Sequence, residues 1–345
     1  MTDSEALIQR NLPEHLELET LLRMGARHLR YQTVQSVDID GISIPIRVIE
    51  LGSRAPRAPV IGFFGGVHGV ERIGTQVLLS WLHSLIHRLD WDDSLRQQLE
   101  RVRLVFMPMI NPGGIWHHSR SNLAGVDLMR NAPVDAMGPT PWLVSGHRIS
   151  SRLPWYRGKR DEPMQPEAQA LVNTVRQRLL NVPFAISVDC HSGFGRRDRL
   201  WCSYARSHKP IDHIAEVLAL KRLFHNTYPH HHPYIIEPQS IHYTTHGDLW
   251  DFLYDESRER YAEHIFLPFT LEMGSWLWVR KNPRQLFDYF GIFNPVIGHR
   301  KRRVLRQHLP LFEFLTAATQ CWDNWVPGPL QREQLAQEAL KEWFG

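Results

Sequence analysis

At 345 residues, with 43% apolar residues and 12 tryptophans, the chain has material for a large packed core, which excludes a disordered or fibrous polypeptide. Lys and Arg number 40 against 36 Asp and Glu, and the formal net charge of +4 is too slight to demand an acidic partner. The three cysteines, Cys190, Cys202 and Cys321, are odd in number and far apart, so they read as reduced thiols rather than a disulfide framework.

Met1 to Ala6 is acidic and lacks the basic-then-apolar order of a secretion signal, and no apolar run approaches membrane-spanning length. A cytoplasmic protein without a membrane partner is expected. Residues 1–35 read as a helical N-terminal extension, with a helix over 15–29 carrying Leu16, Leu18, Leu21 and Leu22 on one stripe. Alternating apolar residues over 42–51 mark a half-buried strand. An apolar run over 59–64 then gives way to Gly65 and Gly66, with His68 and Glu71 following and a helix over 74–89. A strand over 101–109 leads to Asn111-Pro112-Gly113-Gly114, which opens a long aperiodic segment, 111–163; loops of this length are usually functional.

A helix is predicted over 164–180, and a short apolar strand over 183–188 runs into Asp189-Cys190-His191. A strand over 199–204 and a helix over 211–224 precede His230-His231-His232-Pro233, which reads as a solvated loop rather than a second metal site. A helix over 247–254 and a strand over 265–271, closing in Glu272, complete the alternation. From Pro283 the chain is mainly helical, and 296–345 reads as a helical C-terminal extension. Without repeats or a low-complexity linker, residues 1–345 are expected to form one domain. Its expected fold is a three-layer α/β sandwich with a mixed, mostly parallel twisted sheet.

Three apolar strands therefore end in chemistry-bearing residues: His68 and Glu71, His191, and Glu272. If they are parallel neighbours, these side chains converge at one sheet edge, where open α/β sheets collect ligands. Two imidazoles and one carboxylate make a zinc donor set with a position left for water, and Glu272 is then free to act as a base.

These residues, together with Asn111-Pro112-Gly113-Gly114, Arg120 and the run Gly125-Val126-Asp127-Leu128-Met129-Arg130-Asn131, resemble the zinc metallocarboxypeptidase superfamily. That superfamily includes carboxypeptidase A-like enzymes and, more distantly, aspartoacylase and succinylglutamate desuccinylase. The likeness covers roughly residues 42–276. It implies that His68, Glu71 and His191 bind one zinc ion per chain and that Glu272 is general base and acid. It further implies that Arg120 stabilises the oxyanion, that Arg130 holds a substrate carboxylate, and that Asp127 orients a zinc-binding imidazole. Tyr243 matches the family's mobile capping tyrosine, although His242 fits the spacing equally. Asp189, two residues before His191 on the same strand face, competes with Asp127 for the orienting role. Cys190 should point away as an inert buried thiol.

Met129 stands where the family commonly has Asn, which removes one donor from the expected carboxylate clamp. The substrate implied is a peptide or an acylated amino acid. The rival readings are an N-acyl-amino-acid amidohydrolase or cell-wall peptide-trimming enzyme, and a non-catalytic binding protein that keeps the cleft. Arg300 to Arg303 with Arg306 read as a solvated helix face, since no aromatic interleaving suggests nucleic acid. Arg196, Arg197 and Arg199 read equally as surface residues or as a bias toward anionic substrates. Trp276 and Trp278 either line the cleft or pack. The oligomeric state is left open by the sequence.

Overall fold

The structure, a computed structural model, describes residues 3–231 and 233–345. Its strands are β1 (Arg30–Ile39), β2 (Ile42–Gly52), β3 (Val60–Gly65), β4 (Arg103–Met107), β5 (Phe184–Ser192), β6 (Asp198–Cys202), β7 (Tyr234–Pro238) and β8 (Ile265–Met273). They form one sheet in the order β1-β2-β4-β3-β5-β8-β6-β7. The central four, β4-β3-β5-β8, run parallel. The antiparallel pairs are β1 with β2, β2 with β4, and β6 with β8. This is the mixed sheet expected, with helices on both faces.

Every residue of β3 and β5 is buried, which is why both read as unbroken apolar runs rather than alternating ones. The two-residue period of a strand still assigns each side chain to a face. Phe63 stacks on Phe106 and meets Phe312 edge-on, with centroids 5.0 and 5.1 Å away, so helices Arg72–Leu89 and Leu309–Gln320 cover that face. Phe64 points the other way and meets Trp250 at 5.0 Å, beneath helix Leu249–Arg260 and its neighbour Pro166–Arg178.

The ends differ from expectation. Residues 1–35 are not helical throughout: the second helix, Pro13–Met24, gives way to β1 at Arg30. β1 is an edge strand whose first half is largely solvent-facing, so its sequence carries little apolar alternation. Residues 296–345 are helical, yet they are not peripheral. Phe312 is fully buried between Phe63 and Trp81, and Leu335 and Ala339 of helix Pro329–Trp343 pack on Ile214 and Leu218 of helix Ile214–Thr227. In the histidine tract His230 is exposed and His231 lies beside the rings of Tyr228 and Tyr234, whereas His232 lies outside the described residues. Among the described residues no helix is long and apolar enough to cross a membrane.

Candidate metal centre

Parallel pairing of β3, β5 and β8 sets their C-terminal ends side by side, with Gly65 opposite Cys190 and His191 opposite Glu272. Beyond β3 the backbone turns through Gly66 at φ +67°, a conformation that glycine adopts without penalty. Gly69 then passes so close to residue 114 that a Cβ there would sit 1.9 Å from the Gly114 carbonyl carbon. This tight path returns His68 and Glu71 over the sheet edge. It is fastened from far along the chain: Asn294 accepts the Ile73 N–H at 3.0 Å and donates to the Val70 carbonyl at 2.7 Å.

His68 Nδ1 lies 3.0 Å from Glu71 Oε1, and His191 Nδ1 lies 3.1 Å from Glu71 Oε2. All three residues are buried, and their candidate ligand atoms lie within 4.8 Å of one another. The outer nitrogens meet separate acids, His68 Nε2 with Asp127 Oδ1 and His191 Nε2 with Asp189 Oδ2, both at 2.9 Å. The two acids that competed for one orienting position thus each serve one ring. With a metal bound, a proton held at Nε2 by a carboxylate would leave each Nδ1 lone pair free for the ion.

Arg120 reaches the same network through Nε to Asp127 Oδ2 at 2.8 Å and Nη1 to Glu71 Oε1 at 3.3 Å. Burial alone would raise the Glu71 carboxyl, but the charge of His68 and the hydrogen bonds from both imidazoles hold it below the usual carboxylate range. Asp127 behaves alike: Arg120 and His68 outweigh its burial. Burial would lower His191, and Asp189 and Glu71 instead raise it well above the ordinary imidazole value. The gap between the three donors therefore draws positive charge. The donor types and their spacing would suit a zinc ion held by His68, Glu71 and His191.

Glu272 is buried beside this set, with Oε1 accepting the Phe194 N–H at 2.8 Å. Burial first, then the charge of Glu71, pushes its carboxyl up to about 8. A group so placed holds and releases a proton near neutral pH.

Of the residues to which the family resemblance assigns a role, all but Asp127 line one cavity of about 560 Å³: His68, Glu71, Arg120, Arg130, His191, Tyr243 and Glu272. Arg130 is buried, its Nε has no partner, and its ion pair with Asp248 spans 3.6 Å. The other oxygen of Asp248 caps helix Leu249–Arg260 by accepting the Trp250 and Asp251 N–H groups. Met129 also lines the cavity. Tyr243 lies 6.3 Å from the rings of both Phe194 and Trp201, with burial pushing its phenol up. His242 turns instead to Glu237, 2.7 Å away. Trp276 lines the cavity and donates to the Gly193 carbonyl at 3.0 Å, while Trp278 packs inward. Cys190 is buried, and burial pushes its thiol well up.

Sequence reasoning missed much of the wall: Phe194, Trp155, Tyr289 and Phe293. Trp155, at φ +66°, lies under the Arg120 guanidinium at 5.8 Å. No periodic signal marks these residues, because they sit in loops and short helices brought in from outside the sheet.

Two imidazoles and a carboxylate around one gap, each ring backed by an acid, make a candidate zinc-binding donor set at the edge of an α/β sheet. The chain belongs to the zinc carboxypeptidase family, peptidase M14, whose model matches residues 32–277. Carboxypeptidase E of Caenorhabditis elegans is 28% identical over 181 residues, covering 47% of this chain and 36% of that protein. Human carboxypeptidase D is 23% identical over 268 residues, covering 69% of this chain and 18% of its own length. The chain thus spans well under half of these relatives. Among solved structures, thrombin activatable fibrinolysis inhibitor superposes with a TM-score of 0.66 at 17% identity, covering 88% of this chain and 72% of the other. Carboxypeptidase A of Helicoverpa armigera gives 0.58 at 18% identity, covering 87% and 71%. At such identities the superpositions establish the fold.

Proposed function

We propose that the chain is a zinc-dependent carboxypeptidase-type hydrolase, with one zinc held by His68, Glu71 and His191, that cleaves a peptide or amide bond beside a free carboxylate. When bound, zinc supplies Lewis acidity, polarising a carbonyl and bringing the pKa of water to about 7. Arg130 takes the substrate carboxylate through a bidentate pair, which fills its missing hydrogen bonds. Arg120, anchored between Asp127 and Glu71, presents fixed positive charge to the oxyanion that develops. Glu272 keeps Oε1 on the Phe194 N–H, so Oε2 is the atom that accepts the proton of the attacking water and returns it to the leaving nitrogen. Tyr243, kept protonated by burial, lines the same cavity as a donor to substrate.

The observation that carries this reading is the buried Arg130, its Nε without a partner and its one ion pair stretched to 3.6 Å, sharing one cavity with the donor set. Replacing Glu272 with Gln tests it. Zinc should stay at about one equivalent while turnover drops roughly 10²–10⁴-fold. Undiminished turnover would remove Glu272 from the chemistry.

Met129 motivates a second reading, an N-acyl-amino-acid amidohydrolase or a cell-wall peptide-trimming enzyme on the same site. With one amide fewer beside Arg130, the site is less specialised for an ordinary C-terminal residue. A panel of peptides against acylated amino acids separates the two, and exclusive action on ordinary peptides removes the second. A cytoplasmic location is proposed from the three unpaired thiols, two of them buried. Cell fractionation is the check.

A further inference from the structure

The basic run Arg300 to Arg303 and the pair Arg196-Arg197 are more than a hundred residues apart, yet the fold brings them to one place. Helix Gly298–Gln307 faces the loop after β5 across a cavity of about 530 Å³, bordered by Arg196, Arg197, Lys281, Arg300 and Arg303. A second cavity, of about 420 Å³, shares Arg303 and Gln307 with the first and adds Arg306.

Many arginines elsewhere find acids, as Arg72 does in Glu14, Arg176 in Glu256 and Arg332 in Glu216. Here they do not. Among the described residues, none of these six side chains forms an ion pair with a carboxylate, and Arg300 reaches only the Trp278 and Lys281 carbonyls, at 3.4 Å each. The single acid on the border, Asp198, has one oxygen on the Gly274 N–H at 2.9 Å and the other on the Gln307 amide. Such a gathering of like charge repels itself, and an anionic occupant relieves the repulsion.

The groove adjoins the catalytic cavity. The loop after β5 shows Gly193 and Phe194 to the cavity and Arg196 and Arg197 to the groove. Gly274, two residues beyond Glu272, packs so tightly on that loop that a Cβ there would lie 2.7 Å from the Arg196 carbonyl carbon. A polypeptide leaving the catalytic cavity over this loop enters the groove.

We propose that the groove docks an acidic stretch of the polypeptide substrate, upstream of the bond to be cut. This rests on the carboxypeptidase reading of the neighbouring site. Guanidinium forks match carboxylates bidentately. Single-stranded nucleic acid fits less well, because it needs exposed aromatic platforms and the tryptophan bordering the groove, Trp278, is buried.

The test is fluorescence anisotropy with the zinc-loaded full chain and two labelled peptides. Both share the same C-terminal residues, preceded by a run of glutamates in one and glutamines in the other. A single-stranded oligonucleotide of matching charge is the third probe. The glutamate peptide should bind roughly tenfold tighter at low salt, the scale of several screened surface pairs acting together, and salt should erode the advantage. Arg303→Glu with Arg306→Glu should abolish the preference, and the milder Arg303→Gln with Arg306→Gln should reduce it. Equal affinity for both peptides, a preference that survives in both double variants, or tighter binding of the oligonucleotide would overturn the proposal. Preferential binding without cleavage of either peptide would leave the groove standing and sink the hydrolase reading instead.

Discussion

Asp127 and Asp189 offer a comparison whose outcome follows from which oxygen does what. Asp189 uses one oxygen, Oδ2, for both His191 and the Trp250 indole N–H at 3.0 Å, and Oδ1 has no partner. An asparagine there can keep its carbonyl on both donors and put its amide where no bond existed. Only the charge is lost, and a neutral acceptor in place of a charged one costs about 1 kcal/mol, or roughly fivefold to tenfold in zinc affinity. Asp127 divides its oxygens: Oδ1 serves His68 and the Met129 N–H at 3.1 Å, while Oδ2 serves Arg120. Asparagine must therefore turn an amide toward one buried donor. An unsatisfied buried donor adds about 1–3 kcal/mol, so Asp127→Asn should weaken zinc by about 2–4 kcal/mol, at least about 30-fold. Competition against a chelator of known affinity measures both constants, and circular dichroism confirms folding. Equal losses, or a larger loss in Asp189→Asn, would refute the assignment of oxygens and with it the orienting roles.

Replacing Arg130 with Gln should raise KM for a peptide with a free C-terminal carboxylate about tenfold or more, while leaving the same peptide amidated at its terminus little affected; equal effects on both would remove Arg130 from carboxylate recognition. Phe312→Ala should cost about 3–5 kcal/mol in urea unfolding if the C-terminal helices belong to the catalytic domain's core, as we propose, and a loss under about 1 kcal/mol would make them an appendage. Burial, aided by Arg258 and Arg332, pushes His213 down to about 3, with the Tyr254 hydroxyl 2.9 Å from its Nδ1. Between about pH 6.5 and 3 the unfolded chain therefore binds a proton that the folded chain refuses. This contribution is intact above the unfolded value and declines as pH falls, by up to about 1.4 kcal/mol per pH unit. His213→Gln should flatten that limb of a stability–pH curve, and an unchanged slope would argue against a neutral buried imidazole.

The sheet's centre and the candidate ligands were legible because β3, β5 and β8 are apolar runs with a histidine or glutamate at or just beyond their C-terminal ends. β1 and β7 were not. β1 is a partly solvated edge strand, and β7 is five residues following Pro233. In the segment 111–163 the motifs gave Arg120, Asp127 and Arg130, whereas Trp155, which the same segment adds to the cavity wall, carried no signal. The choice between Asp127 and Asp189 was beyond sequence, since spacing shows which acids can reach a ring but not that two rings each take one. The rim after β8 was invisible for a related reason. Phe293 and Asn294 bond to partners more than 90 residues away and Tyr289 lines the cavity beside them, so no local pattern records them.

Asn294 carries a consequence for biosynthesis. The turn that presents His68 and Glu71 is tied down by a residue 221 positions beyond Ile73. A ribosome-bound fragment displaying both candidate ligands still lacks that tie, and it also lacks the helix carrying Phe312 until residues 309–320 have been made. The candidate metal centre is thus completed only after residue 294 has been made, long after its first two donors have left the ribosome.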